Sequence, residues 1–226
     1  MSDNKALRSG IGYTIGNILI KGINFLTLPL FSRLLSPEEF GVYNVFVSYD
    51  AILFALMGLA LHTSIRSANL EFRGEIDRYT SSVSLIYVIN CGVITGVALL
   101  FLRQFSQLLA LPPVAVILLA LGSFSNAVVY LYNTRLSLDY SYKKYLLVSA
   151  SNSLSNILLS VVLILTVFRQ DRAMGRIAGS VAPLFVIALL LLVSFYRKAR
   201  PKPNRKYWKF GLSYSLPMRR NIDLCT

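Results

Sequence analysis

Two ionisable side chains, those of Lys21 and Asp50, lie near the middle of two successive apolar stretches of the chain. The stretches run from about residue 11 to 31 and from about residue 40 to 62, close to the roughly 20 residues that cross a hydrocarbon core of about 30 Å. Ionisable residues at membrane depth are rare and mark functional sites by default. If the chain turns between the stretches, antiparallel helices place Lys21 and Asp50 at one depth.

Three interpretations of Lys21 and Asp50 are open. The two side chains can form a structural ion pair that holds two helices in register. Lys21 can instead bind an anionic substrate, or Asp50 can bind a cation or a proton whose occupancy drives a conformational change.

The composition indicates a membrane protein. Hydrophobic residues make up 55% of the 226 residues and charged residues 15%, whereas soluble domains carry about 25% charged residues. Four further apolar stretches follow, at about 81–102, 114–133, 145–168 and 178–196. The sequence therefore predicts an all-α polytopic membrane bundle of six transmembrane helices over residues 11–196, between an amino terminus of residues 1–10 and a basic tail of residues 197–226.

The net charge of +13 is sorted by loop, because Lys and Arg gather in the cytoplasmic loops of membrane proteins. Most of them fall in the amino terminus, the second loop, the fourth loop and the tail. The other side of the membrane receives Arg33, Arg103, Arg169, Arg172 and Arg176, the last three in the fifth loop. We predict that both termini are cytoplasmic and that the chain binds no nucleic acid.

Polar side chains form stripes along three of the predicted helices. In the first span they are Thr14, Asn17, Lys21 and Asn24; in the fourth, Ser123, Asn126, Tyr130 and Asn133; in the fifth, Ser149, Asn152, Asn156 and Ser160. Their spacing of three or four residues places each stripe on one helical face. An amide that faced lipid would lack a hydrogen-bond partner, so we expect the stripes to point into the bundle.

Two roles are open for each stripe. Ser and Asn can hydrogen-bond across helix contacts and do no more, or they can line a hydrated central cavity. Three stripes together with Lys21 favour the cavity, lined by Asn126, Tyr130, Asn152 and Asn156.

Residues for catalysis are missing from the sequence. It has one histidine, His62, and neither a phosphate-binding glycine loop nor a cluster with metal-ligand spacing, so acid–base hydrolysis and ATP hydrolysis lack their parts. We predict no enzymatic activity, cofactor or metal site. His62 is expected to be a solvated residue at the end of the second span.

The carboxyl-terminal sequence is unusual. Residues 207–216 are apolar and aromatic, which suits either a helix lying on the membrane surface or the start of another span. After Pro217 the chain changes abruptly to Met218-Arg-Arg-Asn-Ile-Asp-Leu-Cys-Thr226. This change predicts a truncated product.

One run carries a family resemblance: Pro29-Leu-Phe-Ser-Arg-Leu-Leu-Ser-Pro-Glu-Glu-Phe-Gly-Val-Tyr-Asn44, followed by Gly58-Leu-Ala-Leu-His-Thr-Ser-Ile-Arg66. It resembles the amino-terminal signature of the polysaccharide or O-antigen flippases, the Wzx-like branch of the multidrug/oligosaccharidyl-lipid/polysaccharide exporters. The matching positions are Arg33, Leu35, Pro37, Phe40, Gly41, Gly58 and Arg66.

The resemblance implies a transporter with two six-helix lobes around a cavity, of which this chain is the amino-terminal lobe. Such a transporter moves an undecaprenyl-diphosphate-linked glycan across the bacterial inner membrane by alternating access. A cationic cavity suits the diphosphate, which implies substrate contacts at Lys21, Asn17, Asn24, Arg33 and Arg66. Asp50 is then the candidate for ion coupling.

The resemblance also implies partners, since one lobe cannot rock against itself. The chain would need a separately encoded second lobe or a second copy of itself, and it would contact membrane lipid. A drug or cation antiporter of the same superfamily is one alternative function. A non-transporting scaffold, for example beside a polysaccharide polymerase, is another.

Overall fold

The computed structural model describes residues 2–215 and the side chains of residues 10–214. Nine α-helices and one 3-10 turn follow one another along this part of the chain. They are α1 (Ser2–Leu34), α2 (Pro37–Gly58), the 3-10 turn (Leu61–Thr63), α3 (Ser64–Glu71), α4 (Ile76–Leu100), α5 (Leu102–Leu109), α6 (Pro113–Leu138), α7 (Tyr142–Thr166), α8 (Arg172–Lys198) and α9 (Arg205–Ser215).

Six of these helices are long and apolar enough to cross a membrane, which confirms the predicted all-α membrane bundle. They are α2, α4, α6, α7, α8 and the Gly10–Leu34 part of α1. Loops 59–75, 139–141 and 199–204 share one end of the bundle with the start of α1, and we call it the basic end. The shorter connections at 35–36 and 167–171 lie at the opposite end, together with residues 101–112.

The turn between α1 and α2 is a capping box. The Ser36 backbone N–H donates to Glu39 Oε2 at 2.7 Å, and the Glu39 backbone N–H donates to Ser36 Oγ at 3.2 Å. Pro37 occupies the first turn of α2, where its missing N–H costs nothing. The Arg172 backbone N–H also donates to Glu39 Oε1 at 3.0 Å, so the turn is attached to the start of α8.

After this turn the first two helices separate. Helix α1 packs mainly along α7, whereas α2 packs on α6 and α8. Gly12 and Gly16 lie directly against Tyr142 and Leu146 of α7. The predicted hairpin is therefore present at its turn, but its two helices have different neighbours.

Several predicted helix ends differ from the structure, and two of them have a clear structural cause. The second span ends at Gly58 rather than at His62, because Leu59 and Ala60 adopt left-handed backbone conformations (φ 44° and 49°) that end the helix. The sixth span begins at Arg172 rather than at residue 178, because the Asp171 side chain accepts a hydrogen bond from the Met174 N–H at 3.1 Å and caps it.

Helix α9 is held against the basic end by aromatic side chains. Tyr207 Oη donates to Glu75 Oε2 at 2.5 Å, and Trp208 Nε1 donates to the Ser82 carbonyl oxygen at 2.8 Å. Burial and the neighbouring Glu75 carboxylate raise the pKa of Tyr207. The segment from Tyr207 therefore begins as a helix packed on α3 and α4; residues 216–226, with the unusual carboxyl-terminal run, lie outside the described residues.

A buried arginine connects two helices at the same end. Arg135 belongs to the last turn of α6, not to the fourth loop as the sequence suggested. Its guanidinium lies 3.0 Å from Asp77 Oδ1 of α4 and 2.9 Å from Asp139 Oδ2. These contacts compensate its charge where it is only 9% exposed.

The closest helix contact, between α7 and α8, depends on Gly179. A Cβ atom there would lie 2.6 Å from the Ser160 backbone nitrogen, which is too close for any side chain. We expect Gly179→Ala to destabilise the chain by about 1–3 kcal/mol, because α7 and α8 must move apart. Thermal unfolding of the purified protein in detergent measures this.

Gly92→Ala is the matched control, because nothing lies within 4 Å of the added Cβ on α4. It should be neutral or should stabilise by up to about 1 kcal/mol through helix propensity. An equal effect of the two substitutions would contradict the close α7–α8 contact.

Candidate functional site

Asp50 is held by neutral donors of α6. Ser123 Oγ donates to Asp50 Oδ1 at 2.6 Å, and Asn126 Nδ2 donates to Asp50 Oδ2 at 2.8 Å. Among the described residues no Lys, Arg or His lies within 4 Å of this carboxylate. The structural ion pair between Lys21 and Asp50, one of the three interpretations of the sequence, is therefore not formed.

Asp50 borders a cavity of about 200 Å³ among α2, α6, α7 and α8, which we call the Asp50 cavity. Its polar wall consists of Asp50, Asn126, Asn152, Asn156 and Ser180, and its apolar wall includes Tyr43, Phe46 and Leu184. The stripes of the fourth and fifth spans thus meet at one place, where the second span contributes a carboxylate.

Hydrogen-bond acceptors prevail in the Asp50 cavity. Asn152 Oδ1 is buried and finds no donor among the described residues, and Asn156 Oδ1 accepts from Arg176. Ser180 Oγ donates its proton to the Ile177 carbonyl oxygen at 2.7 Å, which leaves its lone pairs available. The Asp50 carboxylate, together with the Asn152 and Ser180 oxygen atoms, offers ligands that suit a hard cation, a proton or ordered water.

Arg176, a buried arginine beside the Asp50 cavity, is the residue that the sequence analysis placed wrongly. It was assigned to the fifth loop, but it lies inside α8 and is 7% exposed. Its Nη1 donates to Asn156 Oδ1 and, at 2.7 Å, to Ser160 Oγ. The guanidinium carbon lies 3.9 Å from the centre of the Phe31 ring and 4.7 Å from that of the Tyr43 ring.

Arg176 contacts aromatic rings where a buried arginine usually has a carboxylate partner. Two rings and two neutral acceptors stabilise the positive charge, while Nε is buried and finds no acceptor in the described part of the chain. Asn156 and Tyr43 also line the Asp50 cavity. A buried cation and a half-buried carboxylate therefore share two neighbours without forming an ion pair. The sequence did contain a signal for the position of Arg176. Asp171 is of a residue type that caps helices, so it could have located the start of α8 before Arg176.

The polar stripe of α1 lies away from the Asp50 cavity. Lys21, Thr14 and Asn24 are exposed on the surface of the bundle, and the Lys21 ammonium has no carboxylate within 4 Å among the described residues. Asn17 turns toward α7, where its Oδ1 accepts from Tyr145 Oη at 2.5 Å.

The remaining predicted site residues lie neither in the Asp50 cavity nor in the polar stripe of α1. Arg33, in the last turn of α1, and Arg66, in α3, are both exposed and lie at opposite ends of the bundle. Tyr130 does not line the Asp50 cavity; its ring centre lies 4.5 Å from that of His62. His62 is half-buried rather than solvated, and burial lowers the pKa of its imidazole.

The contacts of Arg176 predict a stability effect. Arg176→Met leaves the Asn156 carbonyl oxygen without its donor and removes both ring contacts, so we expect a loss of about 1–3 kcal/mol in the free energy of unfolding. Adding Asn156→Leu should restore part of this loss, because both partners are then apolar. Denaturant titration in detergent micelles measures both variants.

Arg169→Met is the control, because Arg169 is exposed and donates only to the Leu165 carbonyl oxygen. It should leave the stability unchanged. If Arg176→Met were as stable as the parent chain, the described contacts would contribute nothing.

The fold has a solved counterpart. The structure titled "Crystal structure of MATE in complex with Br-NRF" superimposes with a TM-score of 0.65 at 18% sequence identity, covering 91% of this chain and 52% of that chain. The chain therefore spans about half the length of that protein. No curated protein matches the sequence with significance.

The sequence itself matches a family model. The model is described as "Polysaccharide biosynthesis protein", and it matches residues 6–220, which is nearly all of the chain. The chain belongs to the polysaccharide biosynthesis protein family, and it is a multi-pass membrane protein of that family.

Proposed function

We propose that this chain is one lobe of a transporter that moves a lipid-linked oligosaccharide, such as an O-antigen or polysaccharide repeat unit on undecaprenyl diphosphate, across the bacterial inner membrane. The observation that carries this proposal is the exposed, unpaired Lys21 in the middle of a membrane-spanning helix. The family match supports it.

Lys21 is difficult to explain if its surroundings are lipid. A lysine at the bilayer centre costs about 2.5–3.5 kcal/mol or more, and Asn24 and Thr14 are exposed on the same face of α1. These costs disappear if the face borders a hydrated cleft. A lysine there offers a mobile point charge to an anionic group such as a diphosphate, and Asn17 and Asn24 offer amides to its oxygen atoms.

Transport requires more than this chain. Because it spans about half the length of the MATE protein, we propose that a second six-helix unit faces the exposed side of α1. A second copy of the chain or another six-helix lobe can supply that unit, and a polysaccharide polymerase is a further candidate partner. Arg33 and Arg66, at opposite ends of the bundle, then lie where a substrate enters and leaves. Under this proposal the basic end faces the cytoplasm, and both termini are cytoplasmic.

The Asp50 cavity supports ion coupling. Its carboxylate has neutral partners only among the described residues, so a proton or a small cation can bind there and change the balance of charge beside Arg176. The same cavity favours one alternative, a drug or cation antiporter, in which Asp50 rather than Lys21 determines activity.

Binding of undecaprenyl diphosphate to the purified chain tests the role of Lys21. Lys21→Ala removes a charge-assisted hydrogen bond worth about 1.5–3 kcal/mol, so the dissociation constant should rise about 10- to 100-fold. Lys143→Ala, an exposed lysine at the start of α7, is the control and should bind as the parent chain does. Titration calorimetry in detergent provides the measurement.

Asp50→Asn separates the alternatives in the same assay. Under the proposed function it binds undecaprenyl diphosphate as the parent chain does, and it loses the response of transport to an ion gradient once a second lobe is present. Equal binding by the parent chain and Lys21→Ala would contradict the diphosphate site. A scaffold would show changes in stability alone.

A further inference from the structure

A large polar groove lies at the basic end, between the start of α4 and the linker from α8 to α9. Its volume is about 830 Å³. The charged residues in its wall are Glu75, Asp77, Arg78, Lys198, Arg200 and Lys202. We call it the basic groove.

Both acidic residues of the basic groove are already engaged. Glu75 accepts from Arg78 Nη1 at 3.3 Å and from Tyr207 Oη at 2.5 Å. Asp77 accepts from Arg135 Nη2 at 3.0 Å. Each of these acids is thus already paired with an arginine of the fold, and Asp77 shares its arginine with Asp139.

The cations of the linker are not compensated. Lys198, Arg200 and Lys202 are exposed, and none has a carboxylate within 4 Å in the part of the chain that the structure describes. The sequence contains no Asp or Glu from residue 172 to residue 214. Three cations therefore line one concave surface without a protein counter-charge.

The basic groove lies at the level of lipid headgroups. Lys198 is the last residue of a membrane-spanning helix, and the next helix is attached to α4 through Trp208 and the Ser82 carbonyl oxygen. Trp and Tyr are enriched at this boundary between hydrocarbon and water. A ligand that reaches Lys198 from the membrane side carries its polar group at the surface and its apolar part in the bilayer.

We propose that the basic groove binds the phosphate group of an anionic membrane phospholipid, such as phosphatidylglycerol, from the leaflet at the basic end. Basic residues beside a membrane-spanning helix attract anionic lipid, at about 1 kcal/mol for each Lys or Arg near the surface. Here Lys198, Arg200 and Lys202 line one concave surface, and the two acidic residues in its wall are already paired with arginines. The inference rests on the membrane fold and not on the transported substrate.

The chain contains its own reporter for this site. Trp208 is the one tryptophan of the sequence, and it directly follows Tyr207, whose side chain lies in the wall of the basic groove. The full chain is reconstituted in phosphatidylcholine vesicles with a minor fraction of brominated phosphatidylglycerol, and contact quenching of Trp208 is recorded. Brominated phosphatidylcholine at the same mole fraction gives the reference.

We expect brominated phosphatidylglycerol to quench Trp208 several-fold more strongly than its mole fraction accounts for. Lys198→Gln/Lys202→Gln should remove most or all of this preference, because two surface cations worth about 1 kcal/mol each are lost. Lys143→Gln/Lys144→Gln removes the same charge from the exposed start of α7 and should keep the preference. Circular dichroism and size-exclusion chromatography verify that both variants are folded.

Three results would overturn the inference. The first is quenching in proportion to mole fraction in the parent chain. The second is an equal loss in both double variants, which would indicate a diffuse positive field instead of a site. The third is displacement of brominated phosphatidylglycerol by inorganic phosphate but not by sodium chloride at equal ionic strength, which would make the basic groove a site for free phosphate.

Discussion

The requirement that polar and charged groups find partners inside a membrane shapes this structure. Hydrocarbon offers no hydrogen bonds, so each buried charge depends on what neighbouring helices present to it. Asp50 receives one neutral donor on each carboxylate oxygen, both from α6. Arg176 receives two neutral acceptors and two aromatic faces. Neither charge is paired with an opposite one among the described residues.

The two charges belong to one arrangement of four helices. Asn156 touches the Arg176 guanidinium and lines the cavity that Asp50 borders, and Tyr43 does the same from α2. The close contact of α7 with α8 at Gly179 sets the position of Ser160 and Asn156. A proton or cation bound by Asp50 would therefore act on side chains that also fix Arg176, and through Arg176 on α1, which supplies Phe31.

The sequence was sufficient for the class of fold but not for the contacts within it. Apolar stretches of about 20 residues predicted the six spans. Polar spacing predicted inward-facing stripes, of which those of the fourth and fifth spans contribute to the Asp50 cavity, whereas that of the first span is exposed. The end of the second span was missed, because Leu59 and Ala60 adopt left-handed backbone conformations although neither residue is a glycine. The Lys21–Asp50 pair fails because α1 leaves α2 to pack on α7, which depends on tertiary fit.

The central claim is that the Lys21 face of α1 borders water in the membrane. Cysteine accessibility tests it directly, in a chain with Cys91→Ser and Cys225→Ser. We predict that Lys21→Cys and Asn24→Cys react with a membrane-impermeant maleimide, whereas Leu19→Cys and Leu26→Cys, exposed on the apolar side of α1, do not. Equal, slow reaction at all four positions, from both sides of the membrane, would place Lys21 against lipid and contradict the account.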